Sequence, residues 1–146
     1  MPESKAVHGG RGGAAPKRTS IPTFYRQVSE GKPCTVVEDA TRDFVFIEDL
    51  VKRVISDPRP GTFDIRTGTE TSISLIPLII GEILDIEPIV NLVPRREDDV
   101  AFYDMSGDPS PGTSFLEGML TTVAWYERHP VTDTYTHLRL GAENAD

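Results

Sequence analysis

Arginine is the residue type here whose chemistry is easiest to place. Its planar guanidinium makes paired, charge-assisted hydrogen bonds to anionic oxygens. Arg42, followed by Asp43, leads into the apolar run Phe44-Val45-Phe46-Ile47, and Arg96 lies in the charged stretch Arg95-Arg96-Glu97-Asp98-Asp99. As pattern alone, Arg42 and Asp43 flank a strand, and residues 95–99 read as a solvated charge cluster. Asp49 stands at a strand-to-helix junction, where a carboxylate serves as a cap rather than a catalytic acid. His8, His129 and His137 lack metal-ligand spacing, so no metal site is expected. Cys34, the sole cysteine, has only Lys32 as a basic neighbour, a poor setting for a reactive thiolate.

The elements that must position these residues follow from periodicity. Ser20 precedes Ile21, Phe24, Tyr25 and Val28 at helical spacing, and Gly31 is a natural stop. Thr35-Val36-Val37 is a short strand pattern. Phe44 to Ile47 reads as a strand covered on both faces. Asp49 then opens a helix with Leu50, Val51, Val54 and Ile55 on one side, ended by Asp57-Pro58-Arg59-Pro60-Gly61. Thr62 to Arg66 alternates and predicts a strand, and Thr67-Gly68-Thr69 a turn. Ser74 caps a helix over 75–84, in which Pro77 falls in the first turn and Gly81 weakens the helix by about 1 kcal/mol relative to alanine. Ile89 to Val93 is a further strand. Ser114-Phe115-Leu116-Glu117 matches a capping box, and Leu116, Met119, Leu120, Val123 and Tyr126 follow at helical spacing up to His129-Pro130. Helices alternate with strands, an α/β order.

With 146 residues the chain suits one domain, here residues 20–130 between a flexible lead-in at 1–19 and a tail at 131–146. The glycine-rich, basic stretch from His8 to Arg18 lacks both the Gly-Lys-Ser/Thr and the preceding strand of a phosphate loop. The formal net charge of −8 and pI of about 4.8 argue against nucleic acid as a partner, while leaving room for a small phosphate site built from local arginines. The longest apolar run, Ile76–Ile80, is far too short to span a bilayer, and the N-terminus lacks a signal-peptide core, so no membrane association and a cytoplasmic location are expected.

Three segments carry a family resemblance. Arg42-Asp43-Phe44-Val45-Phe46-Ile47-Glu48-Asp49-Leu50 resembles an Arg-Asp-Phe/Tyr-x-x-Val-x-Asp-hydrophobic signature. Pro94-Arg95-Arg96-Glu97-Asp98-Asp99-Val100 is similar to an Arg-x-Gly-Asp-hydrophobic segment. Thr113-Ser114-Phe115-Leu116-Glu117-Gly118-Met119, running to Trp125-Tyr126, looks like a closing helix of hydroxyl-capped Leu-Glu-Glu-Gly-Leu ending in Trp-Tyr. In this order they resemble the C-terminal, substrate-binding lobe of the NAD-dependent nucleotide-sugar epimerases/dehydratases, extended short-chain dehydrogenase/reductase enzymes such as UDP-glucose 4-epimerase. The match covers residues 20–130.

The resemblance implies an α/β substrate lobe without the N-terminal Rossmann half. It implies that Arg42 and Arg96 contact a nucleotide-sugar diphosphate from opposite sides, and that Asp99 binds a hydroxyl or orients Arg96. Asp98-Asp99 replaces the family's glycine-acid pair. The family's NAD or NADP glycine turn and its Tyr-x-x-x-Lys are missing from the sequence: Tyr25, Tyr103, Tyr126 and Tyr135 have Ser29, Gly107, Pro130 and Arg139 four residues on. No catalytic residue and no cofactor bound by this chain alone are therefore expected. Three outcomes follow: a truncated or decayed isomerase-type enzyme, half of a split enzyme that docks a separate NAD-binding chain or self-associates, or a stand-alone nucleotide-diphosphate module without catalysis.

Overall fold

The computed structural model describes residues 20–97, 101 and 107–131. The elements run α1 (Ser20–Ser29), β1 (Cys34–Val37), β2 (Thr41–Asp43), α2 (Ile47–Ser56), β3 (Glu70–Ser72), α3 (Leu75–Leu84), β4 (Val90–Val93) and α4 (Phe115–Arg128). The expected α/β character is present, as two small sheets and four helices among the described residues. The lead-in and nearly all of the tail lie outside those residues.

β1 and β4 pair in parallel, Cys34 opposite Val90 through Val37 opposite Val93. Such a pair needs a crossover, and α2 and α3 lie within it. The apolar periodicity of α1 buries Phe24 and Val28 against Ile76 and Ile80 of α3, Cys34 and Val36 of β1, and Met119 and Val123 of α4. This is the core, and each fully buried aliphatic side chain in it is worth about 1.5–3 kcal/mol. α1 ends where Gly31 turns left-handed (φ 67°), and Lys32 N–H closes the last turn on Gln27 O at 2.8 Å.

α3 starts after Ser74, as its sequence predicts, although the Ser74 hydroxyl pairs with that of Ser72 at 2.8 Å instead of capping the helix. Gly81 is required by packing: a Cβ there would stand 2.5 Å from Ile86 O and 2.7 Å from Pro88 Cδ. The capping box of α4 forms in both directions, Glu117 N–H to Ser114 Oγ at 3.3 Å and Ser114 N–H to Glu117 Oε2 at 3.2 Å.

Four expectations are corrected. The strand near Arg42 is the polar Thr41–Asp43, paired antiparallel with Glu70–Ser72, and the apolar run that follows is irregular until Ile47 starts α2. Pairing chose the polar residues, because their backbone found a ladder partner and that of 44–46 did not. Residues 62–66 are not a strand: among the described residues none pairs with them. Phe46, three residues before Asp49, occupies the N-cap of α2. Leu116 and Leu120 are exposed, so α4 packs through Gly118, Met119 and Val123 instead.

Candidate functional site

Arg42 occupies the middle of β2, opposite Thr71 of β3. It is half-buried, and its Nη1 donates to Thr41 O at 2.6 Å and Ala101 O at 3.1 Å. Ala101 O also accepts Thr41 N–H at 2.9 Å, so the end of the segment that follows Arg96 is docked on the strand that carries Arg42. The start of that segment is held as well, since Glu38 N–H donates to Val93 O at 2.9 Å at the end of the β1–β4 pair. The fold therefore carries the Arg96 loop from one sheet to the other, with Arg96 itself exposed. Asp98 and Asp99 lie outside the described residues.

Asp43 has a role that sequence reasoning missed. Its carboxylate accepts Thr67 N–H at 3.1 Å, Gly68 N–H at 2.7 Å and the Thr67 hydroxyl. It thereby fixes a turn at which Gly68 adopts φ 83° and lies so close to Pro109 that a Cβ would stand 2.7 Å from its side chain. Arg66 extends the tie, its Nε donating to Gly107 O at 2.9 Å while its carbonyl accepts Ser110 N–H at 2.9 Å. The Arg-Asp pair thus holds two segments through partners 24 to 59 residues away, a separation no local motif reveals.

Two cavities adjoin this assembly. A larger one of about 490 Å³ lies between α1, the 44–47 segment and α4, lined by Pro22, Phe46, Met119, Thr122 and Tyr126 among others. A smaller one of about 200 Å³ is lined by Thr67, Thr69, Thr71 and Thr113 among others. Phe44 and Phe115, with ring centroids 5.2 Å apart, line both. Among the described residues, neither lining includes a charged side chain. Arg42 shares a sheet face with Thr71, which it opposes, and so lies on the side of the smaller cavity.

Burial first, and the Glu127 carboxylate second, push the Tyr25 phenol up, away from what a proton-moving tyrosine needs. Burial raises the Cys34 thiol to about 11, which makes it a core residue and not a nucleophile. His129 terminates α4, with Nδ1 2.9 Å from Trp125 O and its ring stacked 4.2 Å from that of Trp125. Among the described residues no three His, Cys, Asp or Glu side chains could hold a metal ion. No helix among them is long and apolar enough to cross a membrane.

β2 passes to α2 through Phe44, Val45 and Phe46, and β3 passes to α3 through Ile73 and Ser74. Neither connection contains the glycines that let a backbone approach a pyrophosphate.

No protein-family model and no curated protein matches the sequence. Solved structures do match the fold. The Bordetella bronchiseptica enzyme WbmG, solved with NAD and UDP, is 26% identical with a TM-score of 0.69, over 83% of this chain and 43% of that one. WbmH from the same organism, solved with NAD+, is 25% identical with a TM-score of 0.65, over 78% and 41%. UDP-glucose 4-epimerase from Thermus thermophilus, solved with NAD, shares the fold at 22% identity and a TM-score of 0.64, over 77% and 40%. The structural neighbours are thus NAD-dependent nucleotide-sugar epimerases and dehydratases of the extended short-chain dehydrogenase/reductase fold, the class the three motifs resemble. This chain spans less than half the length of each of these three.

Proposed function

We propose that the chain is the nucleotide-sugar-binding part of an NAD-dependent epimerase/dehydratase and is inactive alone. Arg42 and Arg96 grip the diphosphate, and Asp99 holds a ribose or sugar hydroxyl or orients Arg96. The observation that carries this reading is the double anchoring of Ala101 O by Thr41 N–H and Arg42 Nη1, which docks the Arg96 loop on the Arg42 strand. The likeness to an enzyme solved with UDP supports it. Turnover would need a nicotinamide and a proton-moving tyrosine, and the glycine turn and Tyr-x-x-x-Lys that mark them in the family this chain resembles do not occur in this sequence.

Calorimetric titration with UDP and UMP tests the proposal. UDP binds and UMP binds more weakly, because the second phosphate is the group two arginines are suited to hold. Equal affinity for the two nucleotides in a folded sample would remove the diphosphate reading. Tight UDP binding with no gain of activity on adding an NAD-binding partner would favour a second reading, a stand-alone nucleotide-diphosphate module. The absence of a dinucleotide-type turn at β2–α2 and β3–α3 is what keeps that reading in play.

A further inference from the structure

β2 and β3 form a ribbon of three residue pairs, Thr41 opposite Ser72, Arg42 opposite Thr71 and Asp43 opposite Glu70. A two-stranded ribbon this short has little stability of its own, so its register depends on what ties its ends. One end is tied through the backbone, where Ile73 N–H donates to Ala40 O at 2.9 Å. At the other end the tie is the Asp43 side chain. Its Oδ1 accepts Thr67 N–H at 3.1 Å and the Thr67 hydroxyl, and its Oδ2 accepts Gly68 N–H at 2.7 Å. These donors belong to the turn that feeds β3, and the Thr67 oxygen in turn accepts Thr69 N–H at 3.1 Å, just ahead of Glu70. Side chains alternate between the two faces of a strand, so Asp43 holds the turn from one face while Arg42 projects from the other. A slip of one residue would turn Arg42 to the wrong face and part it from Ala101 O, which its Nη1 reaches at 3.1 Å.

We propose that Asp43 is a positioning residue for diphosphate binding: it touches no ligand and acts by fixing the register that aims Arg42. The proposal rests on the assignment of Arg42 to the diphosphate. The sign of the effect separates this role from a direct electrostatic one. A carboxylate beside a diphosphate repels it, so on charge alone its removal would strengthen binding. A positioning role requires the opposite. Asparagine at 43 keeps the shape but offers one acceptor oxygen and one NH2 group, so one of the two backbone N–H groups of the turn then faces a donor.

Calorimetric titration of the full chain with UDP and UMP tests it, with circular dichroism to confirm that each variant is folded. Asp43→Asn weakens UDP binding by about tenfold and leaves UMP binding nearly unchanged. Glu70→Gln is the charge control. Glu70 is the strand partner of Asp43 and accepts the Thr41 hydroxyl, and glutamine keeps an acceptor there while removing the charge. That variant binds UDP at least as well as the original chain. Thr67→Val removes one of the three donors to Asp43 and shows a smaller loss of the same kind; it replaces Asp43→Asn if the latter does not fold. In an Arg42→Ala background neither change has any further effect, since the arginine that Asp43 aims is gone. If Arg42→Ala weakens UDP binding and the folded Asp43 or Thr67 variant does not, the positioning role is overturned and the diphosphate reading stands. Equal losses with and without Arg42 would overturn it as well, because Asp43 would then act independently of the arginine. An Arg42→Ala chain that binds UDP like the original would remove the diphosphate reading itself, and the positioning role with it.

Discussion

Asp49, in the first turn of α2, accepts the backbone N–H of Thr113 at 2.7 Å, immediately before the N-cap of α4. One carboxylate thus ties the first turn of α2 to the start of α4 across 64 residues of sequence. Gly112 makes room for it, since a Cβ there would stand 2.5 Å from Asp49 Oδ2.

That contact predicts acid sensitivity. The Thr113 N–H and hydroxyl, with Lys52 adding a smaller attraction, hold the Asp49 carboxyl below its ordinary value of 3.8. A depressed folded-state pKa contributes stability above the ordinary value and loses it as pH falls through the folded one. Asp49→Ala should lower Tm at neutral pH, and the difference from the original chain should shrink as the pH falls through the lowered folded-state value. Parallel melting curves across that range check this; a constant difference would show that the carboxylate charge is not what matters.

Gly81→Ala sets helix propensity against packing. Propensity alone favours alanine by about 1 kcal/mol. The added methyl would meet the Ile86 carbonyl and the Pro88 ring at distances that require backbone movement. We expect packing to win and the variant to lose about 1–3 kcal/mol in urea unfolding. A stabilised variant would show that the 85–88 turn yields easily.

Thr23 is buried on α1, and its hydroxyl has no hydrogen-bond partner among the described residues. An unsatisfied buried hydroxyl costs about 1–3 kcal/mol. Thr23→Val, which keeps the shape and removes the polar atom, should therefore raise Tm. A lower Tm would mean that the hydroxyl is satisfied in solution.

Cys34 should resist alkylation in the folded chain at neutral pH and react rapidly once unfolded. Its ordinary value of 9.0 is raised to about 11 by burial. A raised folded-state pKa leaves stability intact below the ordinary value and removes it as pH climbs through the folded one. Unfolding free energy should thus fall by about 2–3 kcal/mol on raising the pH through that window. Cys34→Ala, measured across the same window, should lack the decline.

The sequence makes some of this fold legible and hides the rest for identifiable reasons. Ser114 and Glu117 announce α4 because both partners of the capping box are local. α1 and α3 read correctly because their apolar spacing matches what the core buries. The segment at 44–47 misleads because strand formation requires a ladder partner, and the polar Thr41–Asp43 has one in β3. The outward placement of Val51, Val54 and Ile55 on α2 is likewise unreadable, since periodicity shows that a face is apolar but not where it points. At the site, arginine chemistry singled out Arg42, but the anchoring of the loops by Asp43 and Asp49 depends on partners far along the chain.

Arg42 and Arg96 are proposed to hold a diphosphate. Titration of UDP and UMP against Arg42→Ala, Arg96→Ala and Arg128→Ala tests it most directly. Arg128 lies at the far end of α4, where its Nε donates to Ala124 O, and serves as the control. Charge-assisted hydrogen bonds contribute about 1.5–3 kcal/mol each, so loss of either site arginine should weaken UDP binding by about one to two powers of ten. The preference for UDP over UMP should disappear in those two variants and survive in Arg128→Ala. Equal losses in all three would show nonspecific anion binding and contradict the account.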